Sequence, residues 1–240
     1  MLSRNFILLL FISTLFSQST MNGYGYGMFA NNSDAAALGS GSVGLLPSFK
    51  TGVSLSNPST WHKLPVTYLS TSFEGQNNEF SSNTSVHSGL ASAKLIIPAK
   101  QKLSFGLTFN PLFSREITIV DSTFSEFIFI NSDTLGYSRS NTTGGGSSMA
   151  QLAIGYKLTD TDDIGVGLDV VFGSSRSTQN LIIDSDNHLL QSRDYFSGSL
   201  LELYYTTSRF SFNENPLILS LNYNFSLNDI DVENESYQAW

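Results

Sequence analysis

The sequence contains no cysteine among its 240 residues, and it carries little charge of either sign. Without cysteine there is no disulfide framework, no thiolate metal site and no cysteine nucleophile. Charged residues make up 13% of the chain, against ~25% in an ordinary soluble domain. The 12 basic and 20 acidic residues give a net charge of −8, which argues against a nucleic-acid-binding protein, because such a protein shows a basic footprint.

Small polar and aromatic residues take the place of charge. The chain has 39 serines, 19 asparagines and 19 glycines, while 40% of its residues are hydrophobic and 12% are aromatic. So many apolar residues argue against a disordered chain. This composition suits a β-sheet with one polar face and one apolar face.

Long hydrophobic runs are also missing, apart from one at the start of the chain. Residues 6–16 form an apolar run of 11 residues after Arg4, and the polar Ser17, Gln18 and Ser19 follow. This order predicts a secretory signal peptide over residues 1–19, although a buried N-terminal helix is the alternative. The run is too short for a transmembrane helix, which needs ~20 apolar residues.

Apolar and polar residues alternate with a period of two through the rest of the chain. In residues 217–227 every odd position is apolar, while Asn222 and Asn224 fall on the opposite row. This period predicts β-strands, and no segment has a helical stripe. Seven strands are predicted, at residues 65–74, 88–98, 102–113, 150–158, 164–172, 195–208 and 217–228.

Strand length and connections favour a transmembrane β-barrel over a soluble β-sandwich, which remains the alternative. A 12-residue strand measures roughly 40 Å and spans roughly 28 Å when tilted ~45°. The predicted connections alternate between short ones of three, four and about six residues and long ones of 13, 34 and 19. Short periplasmic turns and long external loops are typical of antiparallel outer-membrane barrels.

A barrel in lipid turns its apolar row outward and its polar row toward the lumen. We therefore expect polar and charged residues of the predicted strands to line the interior. The lumen-facing candidates are Lys157, Asp169, Glu202, Asn222 and Asn224.

The start of the expected mature chain resembles a known family. A Gly-rich segment at residues 22–28 is followed by a small-residue segment at 34–44 and by Asn57-Pro58-Ser59 before the first strand. With residues 95–111 and 144–173, this order resembles the outer-membrane protein transport family of the long-chain fatty acid transporter and toluene-porin type. Ser59 stands where that family has alanine.

The resemblance implies an N-terminal hatch over residues 20–62, folded into a 14-stranded barrel that begins at residue 63. With seven strands predicted in residues 63–240, we expect this sequence to be the N-terminal part of a longer barrel. The alternative is a complete eight-stranded barrel with its last strand at residues 229–240. That segment is acidic, so we expect it to begin an extracellular loop instead.

Candidate functional residues are concentrated in the hatch. They are Asn57, Pro58, Ser59, Gly39, Gly41 and Gly44, either as a structural corner or as the lining of a passage. Trp61 is predicted to be an aromatic anchor at the membrane interface.

Chemistry-bearing residues elsewhere form no recognisable site. The three histidines share no metal-ligand spacing, and Asp160, Asp162 and Asp163 are expected to be solvated turn acids. We expect no catalytic residues, no metal and no cofactor.

Two functions therefore compete. The first is passive uptake of hydrophobic small molecules, such as fatty acids or aromatic hydrocarbons, through an outer-membrane barrel of a Gram-negative bacterium. The second is a non-transporting barrel that acts as a scaffold for secretion-system proteins or surface assembly. The expected partners are outer-membrane lipid and a hydrophobic ligand, with no nucleic acid.

Overall fold

The computed structural model of the chain describes residues 28–29, 53–80, 83–100, 102–115, 117–130, 133–183, 186–212 and 215–239. The expected signal peptide and most of the expected hatch, with Gly39, Gly41 and Gly44, lie outside the described residues. The expectations about those segments therefore stay predictions.

The described chain consists almost entirely of β-strands. The strands are β1 (Met28–Phe29), β2 (Tyr68–Phe80), β3 (Asn83–Ala99), β4 (Leu103–Ser114), β5 (Ile117–Ile130), β6 (Asp133–Lys157), β7 (Asp162–Ile183), β8 (Asp186–Phe212) and β9 (Asn215–Ala239). A short 3-10 helix, Pro58–Lys63, precedes β2. Within these ranges no helix has the length and apolar character needed to cross a membrane.

All strands belong to one antiparallel sheet in the order β2-β3-β4-β6-β7-β8-β9. Strand β5 pairs with the first part of β6, and β4 pairs with the last part of the same strand. Strands β4 and β5 therefore lie end to end and occupy a single position in the sheet. The all-β antiparallel fold is thus confirmed, and the seven positions match the seven predicted strands. No pairing joins β2 to β9 among the described residues, so the sheet they form is not closed.

The three connections expected to be long loops are instead hairpin extensions. Strands β2 and β3 reach residues 80 and 83, β5 and β6 reach 130 and 133, and β7 and β8 reach 183 and 186. The prediction of long loops was wrong because it relied on apolar alternation. A ladder needs only paired backbone groups, and Ser- and Thr-rich segments can supply these as well.

The expected acidic loop at residues 229–240 is also a strand as far as Ala239. It continues β9 without a turn and pairs with β8, from Ser197↔Asp231 to Leu189↔Ala239. Both the loop prediction and the alternative of a separate eighth strand are therefore wrong for these residues. Pairing with the long β8 decides the conformation, and the local sequence does not show it.

The two faces of the sheet reverse the arrangement of a soluble protein. In β4, Ser104, Gly106 and Thr108 are buried, whereas Phe105 and Leu107 are exposed. The buried polar row belongs to the inner face, which curls around residues 53–64, here called the buried segment. Its 3-10 helix contacts β3, β4, β6, β7 and β8.

The opposite, outer face carries exposed apolar side chains. Leu217, Leu219 and Leu221 are 45%, 42% and 66% exposed, as the predicted alternation requires. No second layer covers them in the described part of the chain.

A line of backbone irregularities divides the sheet into two halves. Gly145 and Gly173 have φ of 99° and 148°, and the register shifts between Pro111 and Phe113 and between Ser197 and Ser199. The near half lies on the side of Ala99, Leu103 and the connection at residues 158–161. The far half lies beyond this line, toward Ile130 and Ile183.

Candidate functional site

The buried segment is held first by its own hydrogen bonds. Asn57 caps the 3-10 helix, accepting from the Ser59 backbone N–H at 3.2 Å and from Ser59 Oγ at 2.7 Å. Pro58 occupies the first helical position, where a missing N–H costs nothing. The Ser54 N–H donates to Thr60 Oγ1 at 3.1 Å and closes the loop. The sequence Asn-Pro-Ser thus fixes this corner locally.

A chain of hydroxyl groups ties the same corner to the sheet. Ser59 Oγ lies 2.8 Å from Thr206 Oγ1, which lies 3.0 Å from Ser220 Oγ. Because Ser59 uses its one hydrogen on Asn57, Thr206 donates to Ser59 and Ser220 donates to Thr206. Asn57 Nδ2 completes the network by donating to Thr206 Oγ1 at 3.0 Å.

Three glycines on neighbouring strands make room for the segment. A Cβ on Gly106 would lie 2.1 Å from the Trp61 ring, and one on Gly155 would lie 2.0 Å from the Pro58 carbonyl oxygen. A Cβ on Gly165 would lie 2.8 Å from the Ser59 nitrogen. The glycines therefore let the segment lie directly on the backbone of β4, β6 and β7.

Trp61 is fully buried, and its ring packs against Gly106. Its predicted role as an aromatic anchor at the membrane interface is therefore wrong. It forms a small apolar core with Val53, Leu64, Ile96 and Ala153. The sequence placed Trp61 next to the first strand but could not show that the chain folds back over the sheet.

Charged contacts hold the C-terminal end of the buried segment. Lys63 Nζ lies 2.6 Å from Asp163 Oδ2, and His62 Nε2 lies 3.3 Å from Asp163 Oδ1. His62 Nδ1 also lies 2.9 Å from the Ser59 carbonyl oxygen. Burial lowers the pKa of His62, and the carboxylate of Asp163 only partly opposes this shift.

A second carboxylate, Asp162, fixes the turn beside it. It accepts from Thr159 Oγ1 at 2.7 Å and from Thr207 Oγ1 and Tyr205 OH at 2.8 Å, and it pairs with the Arg209 guanidinium. The Thr159 hydrogen bond, helped by Arg209, holds the pKa of Asp162 well below its usual range.

Of the three acids expected to be solvated in this turn, only Asp160 is exposed. Asp162 and Asp163 are buried, because partners from β8 and from the buried segment reach them. The solvated reading was therefore wrong for both.

A polar cluster lies farther along the inner face. Gln151 Nε2 donates to Glu202 Oε2 at 2.8 Å and to Tyr204 OH at 3.3 Å, and Tyr204 OH donates to Glu202. Asp169 is fully buried in the same row, and neither of its oxygens accepts a hydrogen bond from a described residue. The structure thus brings together Asp169 and Glu202, two of the lumen-facing candidates.

The other lumen-facing candidates lie on the same face but apart. Lys157 Nζ donates to Asp160 Oδ1 at 2.8 Å, back toward the turn. Asn222 and Asn224 lie on the edge strand β9, in register with Tyr204 and Glu202 of β8.

An aromatic pair bridges the inner face where the two halves meet. Phe113 and Phe196 have ring centroids 6.2 Å apart, although β6 and β7 lie between their strands. Below the rings the same row holds only Ser147 and Gly173, which are short enough to allow the contact. Next to it, Arg115 Nη1 lies 3.4 Å from Asp194 Oδ2. No pattern in the sequence indicates this pair.

No group of three or more metal-ligating side chains occurs among the residues that the structure describes. No protein-family model, curated protein or solved structure matches this chain. The functional argument therefore rests on the geometry of the sheet and its buried segment.

Proposed function

We propose that this chain forms the wall and internal plug of an outer-membrane β-barrel that passes hydrophobic small molecules. The carrying observation is the reversed burial: the polar inner face is covered by residues 53–64, while the apolar outer face is exposed. A polar, occupied interior and an apolar exterior are what a lipid-embedded barrel requires.

The length of the apolar row supports a membrane location. The outer row from Leu217 to Leu227 rises roughly 34 Å at ~3.4 Å per residue, or about 24 Å when tilted ~45°. The apolar band of outer-membrane barrels is ~25 Å tall. The outer row of β7 is apolar from Ile164 to Phe172 and polar from Ser174 to Asn180, so the band ends within a strand.

Closure of the barrel needs further strands in this proposal. Unpaired backbone groups at the edges of β2 and β9 would be costly in lipid. Counting positions, β2 and β9 run in the same direction, so an odd number of additional strands keeps every pair antiparallel. The resemblance to a 14-stranded family, which would add seven, agrees with this requirement.

The passage in this proposal runs along the inner face. The Phe113–Phe196 pair constricts it at the level where the near half meets the far half. The buried segment obstructs the passage on the near side of this pair. The segment contacts the sheet through glycines and hydroxyl groups, and in this proposal it moves aside to open the passage.

Uptake of a labelled long-chain fatty acid tests the transport function. A Gram-negative host lacking its own fatty-acid barrel would carry the full-length gene. We expect Phe196→Ala, which removes the inner constriction, to raise uptake above wild type. Phe172→Ala is the matched control, because Phe109 and Phe172 also lie 6.2 Å apart but on the outer face.

Equal amounts of each protein in washed outer membranes are needed for this comparison. Uptake no greater than in cells without the gene would overturn transport and leave the membrane location standing.

A scaffold is the second candidate, favoured by two observations. The inner face around the buried segment is filled by polar contacts, and strands β6 to β9 extend far beyond the apolar band. If the protein is a scaffold, crosslinking in intact cells should join these extensions to other surface proteins, and Phe196→Ala should change no uptake.

A further inference from the structure

Two carboxylates are neighbours on the inner face of the near half. Glu202 of β8 is directly opposite Gly167 of β7, and Asp169 follows Gly167 by two positions on the same row. Such diagonal neighbours are roughly 7–8 Å apart at the backbone, which is within reach of long side chains. The charge of Glu202 therefore acts directly against that of Asp169.

The hydrogen bonds of this cluster go to only one of the two carboxylates. Gln151 Nε2 and Tyr204 OH both donate to Glu202 Oε2. Asp169 is 0% exposed, yet neither of its oxygens accepts a hydrogen bond from a described residue. A carboxylate that is buried without donors or a counter-ion is strongly destabilising. Asp169 therefore requires a partner that the described side chains do not supply.

No cation reaches this pair from the part of the chain that the structure describes. Lys94 belongs to the same cross-strand row as Asp169, three positions away in the sheet, and its Nζ donates to Ser56 Oγ at 2.7 Å. On β9 the residue opposite Glu202 is the neutral Asn224. None of the ion pairs between described residues includes Asp169 or Glu202. The pair therefore keeps two uncompensated negative charges.

We propose that Asp169 and Glu202 bind a calcium ion on the inner face. Calcium takes oxygen ligands only, and carboxylates, amide carbonyls and water complete its shell of about 6–8. Asp169 supplies two oxygens, Glu202 supplies Oε1, to which neither donor is bonded, and the Gln151 side-chain carbonyl is a further source. Magnesium fits less well, because it demands near-octahedral geometry and keeps several of its waters.

The position of the pair places the ion beside the passage. Gly165, four residues before Asp169 on the same row, contacts the buried segment. Gly173, four residues after it, lies in the row that the Phe113–Phe196 pair crosses. The inference goes beyond the proposed function and does not depend on transport, because contacts within the sheet form the site.

Equilibrium dialysis against radioactive calcium tests the proposal directly. The full-length protein in a neutral detergent is first stripped with a chelator and then dialysed near neutral pH. We expect the wild type to bind one calcium ion more than Asp169→Asn, which keeps the shape of the side chain and removes its charge. Equal calcium binding by the two proteins would overturn the proposal, and a proton shared by the carboxyl groups would then satisfy the pair.

Thermal unfolding adds a readout in which the order of the two proteins reverses. With chelator present, Asp169→Asn should unfold at a higher temperature than the wild type, because it removes the repulsion with Glu202. Calcium should raise the midpoint of the wild type and leave that of the variant unchanged. A variant that unfolds below the wild type in chelator would show that the Asp169 carboxylate is satisfied without the ion, and would overturn the proposal.

Asp194→Asn is the matched control. It also removes one carboxylate from the inner face, but Arg115 and Asn234 already donate to that group. It should bind as much calcium as the wild type, and a loss equal to that of Asp169→Asn would overturn the location of the site. An equal rise of the wild-type midpoint with magnesium would overturn the choice of calcium. Each of these failures leaves the proposed function standing, because uptake is measured separately.

Discussion

The near and far halves of the sheet share one backbone ladder but differ in side-chain chemistry. The β6–β7 pairing runs without a register shift from Lys157↔Asp163 to Tyr137↔Ile183. Along the same outer row of β7, Leu168 and Val170 give way to Arg176 and Thr178. Backbone pairing therefore determines the strand conformation in both halves. The side chains determine whether the outer face of each half is apolar or polar.

The inner faces differ as well. In the near half the buried segment fills the space and is held by glycine, hydroxyl and carboxylate contacts. In the far half hydrogen bonds join neighbouring strands, as between Ser177 and Asn141 or Asn234 and Asp194. The near half thus combines the proposed membrane wall and plug.

The largest expected effect comes from placing a charge on each half of one outer row. Leu168→Arg should destabilise the membrane-inserted protein by ~2–4 kcal/mol, because it places a guanidinium group near the middle of the bilayer. Thr178→Arg on the same strand should cost ~0–1 kcal/mol. The measurement is the fraction of full-length protein that floats with phospholipid vesicles on a density gradient.

Equal flotation of the two arginine variants would break the comparison. A wild-type protein that does not float with the vesicles would instead favour the soluble β-sandwich.

The next largest effect compares two glycines of β6. A Cβ on Gly155 would collide with the Pro58 carbonyl oxygen, whereas one on Gly144 would meet no atom within 4 Å. Gly155→Val should lower the free energy of unfolding by ~1–3 kcal/mol and expose residues 53–64 to protease. Gly144→Val should leave the free energy of unfolding and the protease resistance of residues 53–64 nearly unchanged. Similar behaviour of the two variants would show that the buried segment does not need a glycine at position 155.

The near half could be predicted from the sequence in large part. Its outer rows are apolar at every second residue, so the strands and their faces follow directly from a period of two. The far half could not be, since segments such as residues 174–180 are polar on both rows. Their conformation follows from backbone pairing with the neighbouring strands β6 and β8, which alternation of side chains does not reveal.

The site shows the same division. Alternation places Asp169 on the polar row of its strand, and in the structure this row is the buried one. The burial of Asp162 depends on Arg209, which lies 47 residues away, and that of Trp61 on the chain folding back over β4. Such contacts leave no local signal in one sequence.

A smaller effect is expected from removing the cap of the buried segment. Asn57→Ala should cost ~0.5–2 kcal/mol of stability, because it deletes the helix cap and the hydrogen bond to Thr206. Combining it with Thr206→Val in a double-mutant cycle isolates the contact between segment and sheet. Chemical unfolding measures each free energy, and strictly additive losses would show that the contact contributes nothing.

The smallest effect is a pH dependence confined to the near half. Because the pKa of His62 is lowered in the folded protein, the unfolded chain binds more protons between that lowered value and ~6.5. Acidification through this window should therefore loosen the buried segment, and stability should recover above it. Protease cleavage within residues 53–64 should rise on acidification in the wild type and change less in His62→Gln. A tighter segment at low pH would mean that Asp163, which favours the charged imidazole, outweighs burial.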